Sequence, residues 1–258
     1  MNRITALAAT VALTAGSLAL SAPAAQAAPA KYKVTAKANT EIAIVKEDTV
    51  KVRGRVTPKA AGQKVVLQQR VGDKKSWKAT ATVKIKGNGT YVLKDKPSNP
   101  GPREYRVVKP ASNGIKKGIS KTMPVEVYRW EKLTSRIAGP ATNIAPAGVN
   151  IGAEYYGQSL ATTTAGTPSS VEYTLGRKCI EMRASYALTD ESASGSTGSV
   201  TVTADGAVLA SHALAVGTLV ADETLDLAGV FRLKVDATTS ATPAATVAVA
   251  TPEVLCTR

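Results

Sequence analysis

Few side chains in this sequence are of the types that usually perform catalysis or bind metals. The 258 residues include one histidine, His212, and two cysteines, Cys179 and Cys256. His212 lies in the strand-like run 209–214 with no catalytic motif around it, so we expect a structural role. No cluster of His, Cys or Asp has metal-site spacing, no glycine-rich loop opens a helix, and no motif selects a pair of carboxylates for hydrolysis. We therefore predict a protein that is not an enzyme and has no metal site and no cofactor.

The first residues have the pattern of an export signal. Asn2 and Arg3 form a short basic start, an apolar stretch runs over 4–20, and Ala25-Gln26-Ala27 supplies a small-x-small cleavage site. We predict a signal peptide over 1–27 and a secreted, extracellular protein. No later apolar run is long enough to span a bilayer, so we predict no membrane insertion.

The export signal also bears on the two cysteines. In a compartment that permits disulfides, an even pair of cysteines predicts one bridge, Cys179–Cys256. Two free buried thiols are the alternative.

Charge divides the mature chain into two parts. Residues 31–129 contain 24 Lys and Arg against 7 Asp and Glu, whereas residues 130–258 contain 8 against 12. The change falls near Tyr128-Arg129-Trp130. We predict two domains, over 28–128 and 129–258.

The basic half has the alternation of antiparallel strands. Val50, Val52 and Val56 alternate with charged residues, and Gly87-Asn88-Gly89 forms a turn between two further strand patterns. With no helical period in either half, the sequence predicts an all-β protein built of antiparallel sandwiches.

The order of motifs in this half resembles bacterial immunoglobulin-like modules of secreted proteins. The matching residues are Val50/Val52/Gly54/Val56, Val65 to Gln68, Trp77, Gly89/Tyr91 and Tyr105 to Val107. The resemblance implies an N-terminal immunoglobulin-like β-sandwich in which Trp77, Tyr91 and Tyr105 are packing residues.

The positive charge of this half has three interpretations. It could be a solvated surface with lysines that protect edge strands, an adhesive surface for an anionic wall polymer, or a nucleic-acid surface. Exposed aromatics between the cations, as in stacking platforms, are not evident, so we expect no nucleic acid. The candidate anion-binding residues are Lys74, Lys75, Lys116 and Lys117.

The C-terminal half resembles NPCBM, a family of carbohydrate-binding modules with the galactose-binding-like jelly-roll fold. The matching residues are Trp130-x-x-Leu133, Tyr156-x-x-Ser159, Val171 to Gly176, Ala184 to Asp190, Ser199 to Gly206, Leu225 to Gly229, Phe231 to Leu233, Pro252 and Cys256. Two departures from the family pattern affect the sugar site. Ala187 replaces a common glycine, and Val247 and Val249 stand where an aromatic is often found.

The resemblance implies a galactose-binding-like jelly-roll β-sandwich that binds a polysaccharide or cell-wall glycan. Such a site needs a flat apolar face and a few amide or carboxylate partners for hydroxyl groups. The candidate residues are Tyr155, Tyr156, Gln158, Tyr186 and Asp190. The alternative is that Tyr156 and Tyr186 are packing residues and that Asp190-Glu191 is a solvated loop.

Together these expectations describe a secreted, non-catalytic protein that binds carbohydrate or is non-covalently associated with a cell wall. Its basic domain would adhere to anionic surface polymers. The alternative is a structural or protein-interaction β-sandwich protein without a sugar site.

Overall fold

A computed structural model describes residues 30–257 of the chain and confirms the predicted all-β fold. The predicted signal peptide, 1–27, lies outside the described residues. A single 3-10 turn, Leu133–Ser135, is the only helical element among residues 30–257. None of the described segments forms a helix that could cross a bilayer.

The described residues form nineteen strands. They are β1 (Lys33–Ala38), β2 (Ile42–Ile44), β3 (Val50–Thr57), β4 (Lys64–Val71), β5 (Lys78–Lys84), β6 (Thr90–Asp95), β7 (Gly101–Lys109), β8 (Gly118–Ile119), β9 (Met123–Lys132), β10 (Ala141–Thr142), β11 (Ile144–Ile151), β12 (Glu154–Thr162), β13 (Ser169–Thr174), β14 (Cys179–Leu188), β15 (Thr197–Ala204), β16 (Ala207–Ala215), β17 (Leu219–Asp226), β18 (Arg232–Thr239) and β19 (Val247–Cys256).

These strands form three sheets, and almost every pairing is antiparallel. One sheet has three strands in the order β1-β3-β6, and another has five in the order β10-β13-β18-β15-β16. The third follows the order β11-β12-β19-β9-β7-β4-β5, with β14, β17, β2 and β8 paired to it. The short β2 runs parallel to β9. The two smaller sheets therefore share no strand with the large sheet.

The protein has two large hydrophobic cores, one formed by residues before and one by residues after the change in charge near Arg129. The first contains buried residues from Tyr32 to Val127, and the second contains buried residues from Leu133 to Cys256. Strand β9 passes from one core to the other without a break. Its first part pairs with β7, and its last four residues, 129–132, pair with β19.

The predicted disulfide between Cys179 and Cys256 is confirmed. The two cysteines lie directly opposite each other on β14 and β19, with a Cα–Cα distance of 4.0 Å. The bridge closes a loop with a sequence separation of 77 residues. In the chain-entropy description, a loop of this length corresponds to a stabilisation of about 4–5 kcal/mol.

Gly54 lets the strands of the three-stranded sheet pack closely around a buried tyrosine. The Tyr91 hydroxyl donates a hydrogen bond to the Thr35 carbonyl oxygen, directly over Gly54. A Cβ atom at Gly54 would lie 1.8 Å from that oxygen and 2.4 Å from the Tyr91 hydroxyl. Since one obstacle is backbone, a side chain cannot be accommodated by a rotamer change alone.

We predict that Gly54→Ala lowers the free energy of unfolding by about 3 kcal/mol, because the new methyl group displaces β1 and the Tyr91 hydroxyl. Urea unfolding monitored by tyrosine fluorescence measures the change. Gly87→Ala is the matched control, since a Cβ there meets no atom within 4 Å. Equal stability of the two variants would contradict this account of the sheet.

Candidate functional site

The hairpin formed by β11 and β12 contains three of the predicted sugar-binding residues, and a fourth holds its turn. Gly152 and Ala153 form the turn with positive φ values of 61° and 65°. Their amides donate hydrogen bonds of 2.7 and 2.8 Å to the two carboxylate oxygens of Asp190. Asp190 therefore anchors the turn, and both of its oxygens already accept hydrogen bonds.

Tyr155 and Tyr156 are neighbours on β12 and point to opposite faces of the hairpin. Tyr155 is 70% exposed and lies across the bare backbone of Gly148 and Gly157. Tyr156 is half-buried against a small cluster that includes Ala248, and its hydroxyl donates to Glu154 Oε2 at 3.2 Å. The two rings therefore do not form one flat platform.

Gln158 does not combine with Tyr155 or Tyr156 to form one site. It is exposed, has a positive φ of 60°, and lies where the β11–β12 register shifts. Its side-chain oxygen accepts a hydrogen bond of 3.2 Å from the Thr134 hydroxyl.

The interpretation of Tyr186 as a sugar-binding residue is wrong. Its side chain is 0% exposed and belongs to the second core, so it offers no face to a ligand. Burial raises the pKa of its hydroxyl, and the Glu223 carboxylate adds to the increase. The ring lies 5.3 Å from the ring of His212, whose Nε2 is 2.9 Å from Glu223 Oε2.

One cavity of about 500 Å³ borders the hairpin and includes two of the predicted residues, Tyr156 and Asp190. Its other side is the β16–β17 turn, where Val216 and Leu219 are exposed. The charged side chains in its lining, Glu154 and Asp190, are both acidic. The cavity thus combines acceptors with apolar surface and lacks a cationic donor.

The predicted anion-binding lysines lie at two distant places. Lys74 and Lys75 are in the β4–β5 turn, beside the first residues of β7, and Lys116 and Lys117 follow the last residues of β7. All four are exposed. Because the nine residues of β7 extend over about 27 Å at about 3.4 Å per residue, the two pairs do not form one surface.

The loop before β18 presents an aromatic side chain that is not among the predicted sugar-binding residues. Phe231 is the chain's only phenylalanine and is 41% exposed. Its carbonyl oxygen accepts hydrogen bonds from the amides of Leu175 and Gly176, at 2.8 and 3.0 Å. The loop is therefore fixed by backbone contacts to the β13–β14 turn.

Asp205 fixes the same loop from the other side. Its carboxylate accepts hydrogen bonds from the amides of Phe231 and Arg232, at 2.9 and 2.8 Å. These bonds lower the pKa of Asp205, so the carboxylate is ionised at neutral pH. The backbone that carries the exposed Phe231 ring is thus held by hydrogen bonds at both its amide and its carbonyl group.

A cavity of about 380 Å³ opens beside this ring on the outer face of the five-stranded sheet. Its lining residues are Glu172, Thr203, Asp205, Gly206, Phe231, Arg232 and Lys234. Register brings them together, because Lys234 lies opposite both Glu172 on β13 and Thr203 on β15.

The charged groups of this cavity balance each other. Two carboxylates, Glu172 and Asp205, face two cations, Arg232 and Lys234. A hydrogen bond to Asp236, at 2.7 Å, raises the pKa of Lys234 and keeps it protonated. Counted over its lining side chains, the cavity therefore has no net charge, and it offers an aromatic surface with hydrogen-bond donors and acceptors.

The sequence contained a signal for this site. Phe231 is followed by the cation Arg232 and comes shortly after Ala228-Gly229. This local sequence is typical of a turn rather than of a buried strand. The partners Glu172 and Thr203 lie on other strands, so only the sheet register identifies them. Within residues 30–257, no three His, Cys, Asp or Glu side chains come together in a way that could hold a metal ion.

No protein-family model matches the chain, and no curated protein is similar to it in sequence. The resemblances to immunoglobulin-like modules and to NPCBM therefore remain sequence-based predictions.

We predict that Asp190→Ala lowers the free energy of unfolding by about 1–2 kcal/mol, because two backbone amides of the turn lose a charged acceptor. Glu191→Ala is the control, since this exposed neighbouring carboxylate has no hydrogen bond or ion pair among the described residues. Chemical unfolding measures both. A loss as large for Glu191→Ala would show that general charge, rather than the turn contact, matters.

Proposed function

We propose that the protein is a secreted, non-catalytic binding protein and that its C-terminal half binds a neutral glycan beside Phe231. The observation that supports the proposal most is the charge-balanced cavity around this exposed ring, whose loop is held by backbone hydrogen bonds. A sugar ring presents C–H groups on one face and hydroxyl groups around its edge. An aromatic surface suits the first, and mixed donors and acceptors suit the second.

Five of the lining residues have a defined role in this proposal. The Phe231 ring supplies the stacking surface, and the Arg177 guanidinium lies over that ring at 5.5 Å from its centroid. Glu172 accepts hydrogen bonds from sugar hydroxyls, and Arg232 and Lys234 donate to sugar oxygens. Asp205 positions the loop and does not itself need to contact the glycan.

A second candidate function is binding of a protein partner at the hairpin cavity. Val216 and Leu219 expose apolar surface there, at 49% and 44%, beside the half-buried Tyr156. This arrangement favours the earlier alternative of a protein-interaction sandwich without a sugar site.

The test is affinity electrophoresis of the full chain in gels that contain neutral glucan, galactan, mannan or xylan. At about 0.5 M NaCl, electrostatic interactions are screened beyond a few ångströms. Binding that is driven by charge should therefore weaken, whereas glycan binding should persist. We predict that Phe231→Ala weakens binding to the retained polysaccharide by about tenfold or more, since about 1.4 kcal/mol of lost stacking corresponds to that factor.

Tyr155→Ala is the matched control, because it removes the other strongly exposed aromatic of the C-terminal half and leaves the Phe231 cavity intact. If only Tyr155→Ala loses binding, the glycan site lies at the hairpin of β11 and β12 and not beside Phe231. If the unsubstituted chain binds none of these polysaccharides, the glycan proposal is rejected. Binding of a protein partner is then the remaining candidate function.

A further inference from the structure

The outer face of the three-stranded sheet β1-β3-β6 has an unusual composition. Alternate residues of these strands point away from the first core. Six of the outward residues are cations: Lys33, Lys37, Lys51, Arg53, Arg55 and Lys94. The other outward residues are Thr35, Thr57, Thr90 and Val92. No acidic side chain occupies an outward position on these three strands, and we call this surface the cationic face.

The cations of this face are exposed and unneutralised. None of the six forms an ion pair with an acidic residue in the part of the chain that the structure describes. The outer face of the large sheet in the same half is different. There Arg70 pairs with Glu104, Arg106 Nε donates to Gln68 at 2.9 Å, and both guanidinium groups lie over the Trp77 ring.

The register places like charges directly opposite each other on the cationic face. Lys37 faces Arg53 across β1 and β3, and Lys51 faces Lys94 across β3 and β6. Opposed like charges destabilise an antiparallel pair. The sheet therefore tolerates a repulsion that an anionic ligand would relieve.

Protection of edge strands does not explain the arrangement. Lysines that prevent sheet-to-sheet pairing belong on edges, but Lys51, Arg53 and Arg55 are on β3, the central strand. A central row of three cations has no role in blocking an edge.

We infer that the cationic face binds a linear phosphodiester polymer that lies along β3. Alternate residues of a strand are about 7 Å apart, which sets the spacing of the row Lys51, Arg53 and Arg55. Three backbone bonds of an extended chain advance about 3.3–3.6 Å, so the six-bond repeat of poly(glycerol phosphate) also advances about 7 Å. Each phosphate of such a polymer can lie beside one cation of the row.

The other residues of the face argue against two further anionic partners. The face has no aromatic side chain, so it lacks the stacking platforms that single-stranded nucleic acid uses. It also has none of the exposed large hydrophobic side chains of the described chain, so it has nothing to insert into an anionic membrane. The inference does not depend on the glycan cavity, which lies in the other half and on another sheet.

The experiment measures binding of poly(glycerol phosphate) to the full chain by calorimetry over a series of NaCl concentrations. We expect Lys51→Gln/Arg53→Gln/Arg55→Gln to weaken binding by about tenfold or more at about 50 mM NaCl and to reduce the slope of log K against log salt by about 2. The thermal midpoint of this variant should be equal or higher, since both opposed like-charge pairs lose one member. That result separates a loss of ligand from a loss of fold.

The control is the triple variant Lys74→Gln/Lys75→Gln/Lys116→Gln, which removes the same number of charges from exposed turns. We expect it to weaken binding of the polymer by less than about threefold. An equal loss in both variants would show a response to net charge alone and overturn the inference. Tighter binding of oligo(dT), or of vesicles rich in phosphatidylglycerol, at equal phosphate concentration would overturn the assigned ligand. Loss of binding to neutral glycans would not affect it.

Discussion

Strand β9 is hydrogen-bonded into both halves of the protein, and the continuity of the large sheet from one half to the other depends on it. Its residues up to Val127 pack in the first core, and its last four, 129–132, pair with the final strand β19. The end of β19 is in turn fixed to β14 by the Cys179–Cys256 disulfide. Both proposed binding surfaces lie on the two smaller sheets, one on each.

Much of the fold could be predicted because alternation is a local property. Where one face of a strand is buried, as in β3, hydrophobic residues recur at alternate positions and the strand is visible in the sequence. The alternation fails for β14, whose residues 184–188 are all buried, because the second core lies on one side and the hairpin cluster on the other. This explains the error at Tyr186: its neighbours give no sign of which face is accessible.

Binding sites were harder to predict, because they depend on register between distant strands. Tyr155 and Tyr156 are adjacent in sequence, and for that reason they point to opposite faces. Glu172, Thr203 and Phe231 are far apart in sequence and meet in one cavity through the β13–β18–β15 pairings. The alternating cations of β3 were visible in the sequence, but the absence of nearby acids follows only from knowing that β1 and β6 are its neighbours.

The two proposed surfaces differ in charge and therefore in how they should respond to ligands. One is a charge-balanced cavity, and the other is a flat face of six cations on a different sheet. The most direct test is a competition measurement, in which the full chain is titrated with its neutral glycan in the absence and presence of saturating poly(glycerol phosphate). Two independent sites predict glycan affinities that agree within about twofold. Displacement of the glycan by the polymer would contradict the account, because it would require a single shared site.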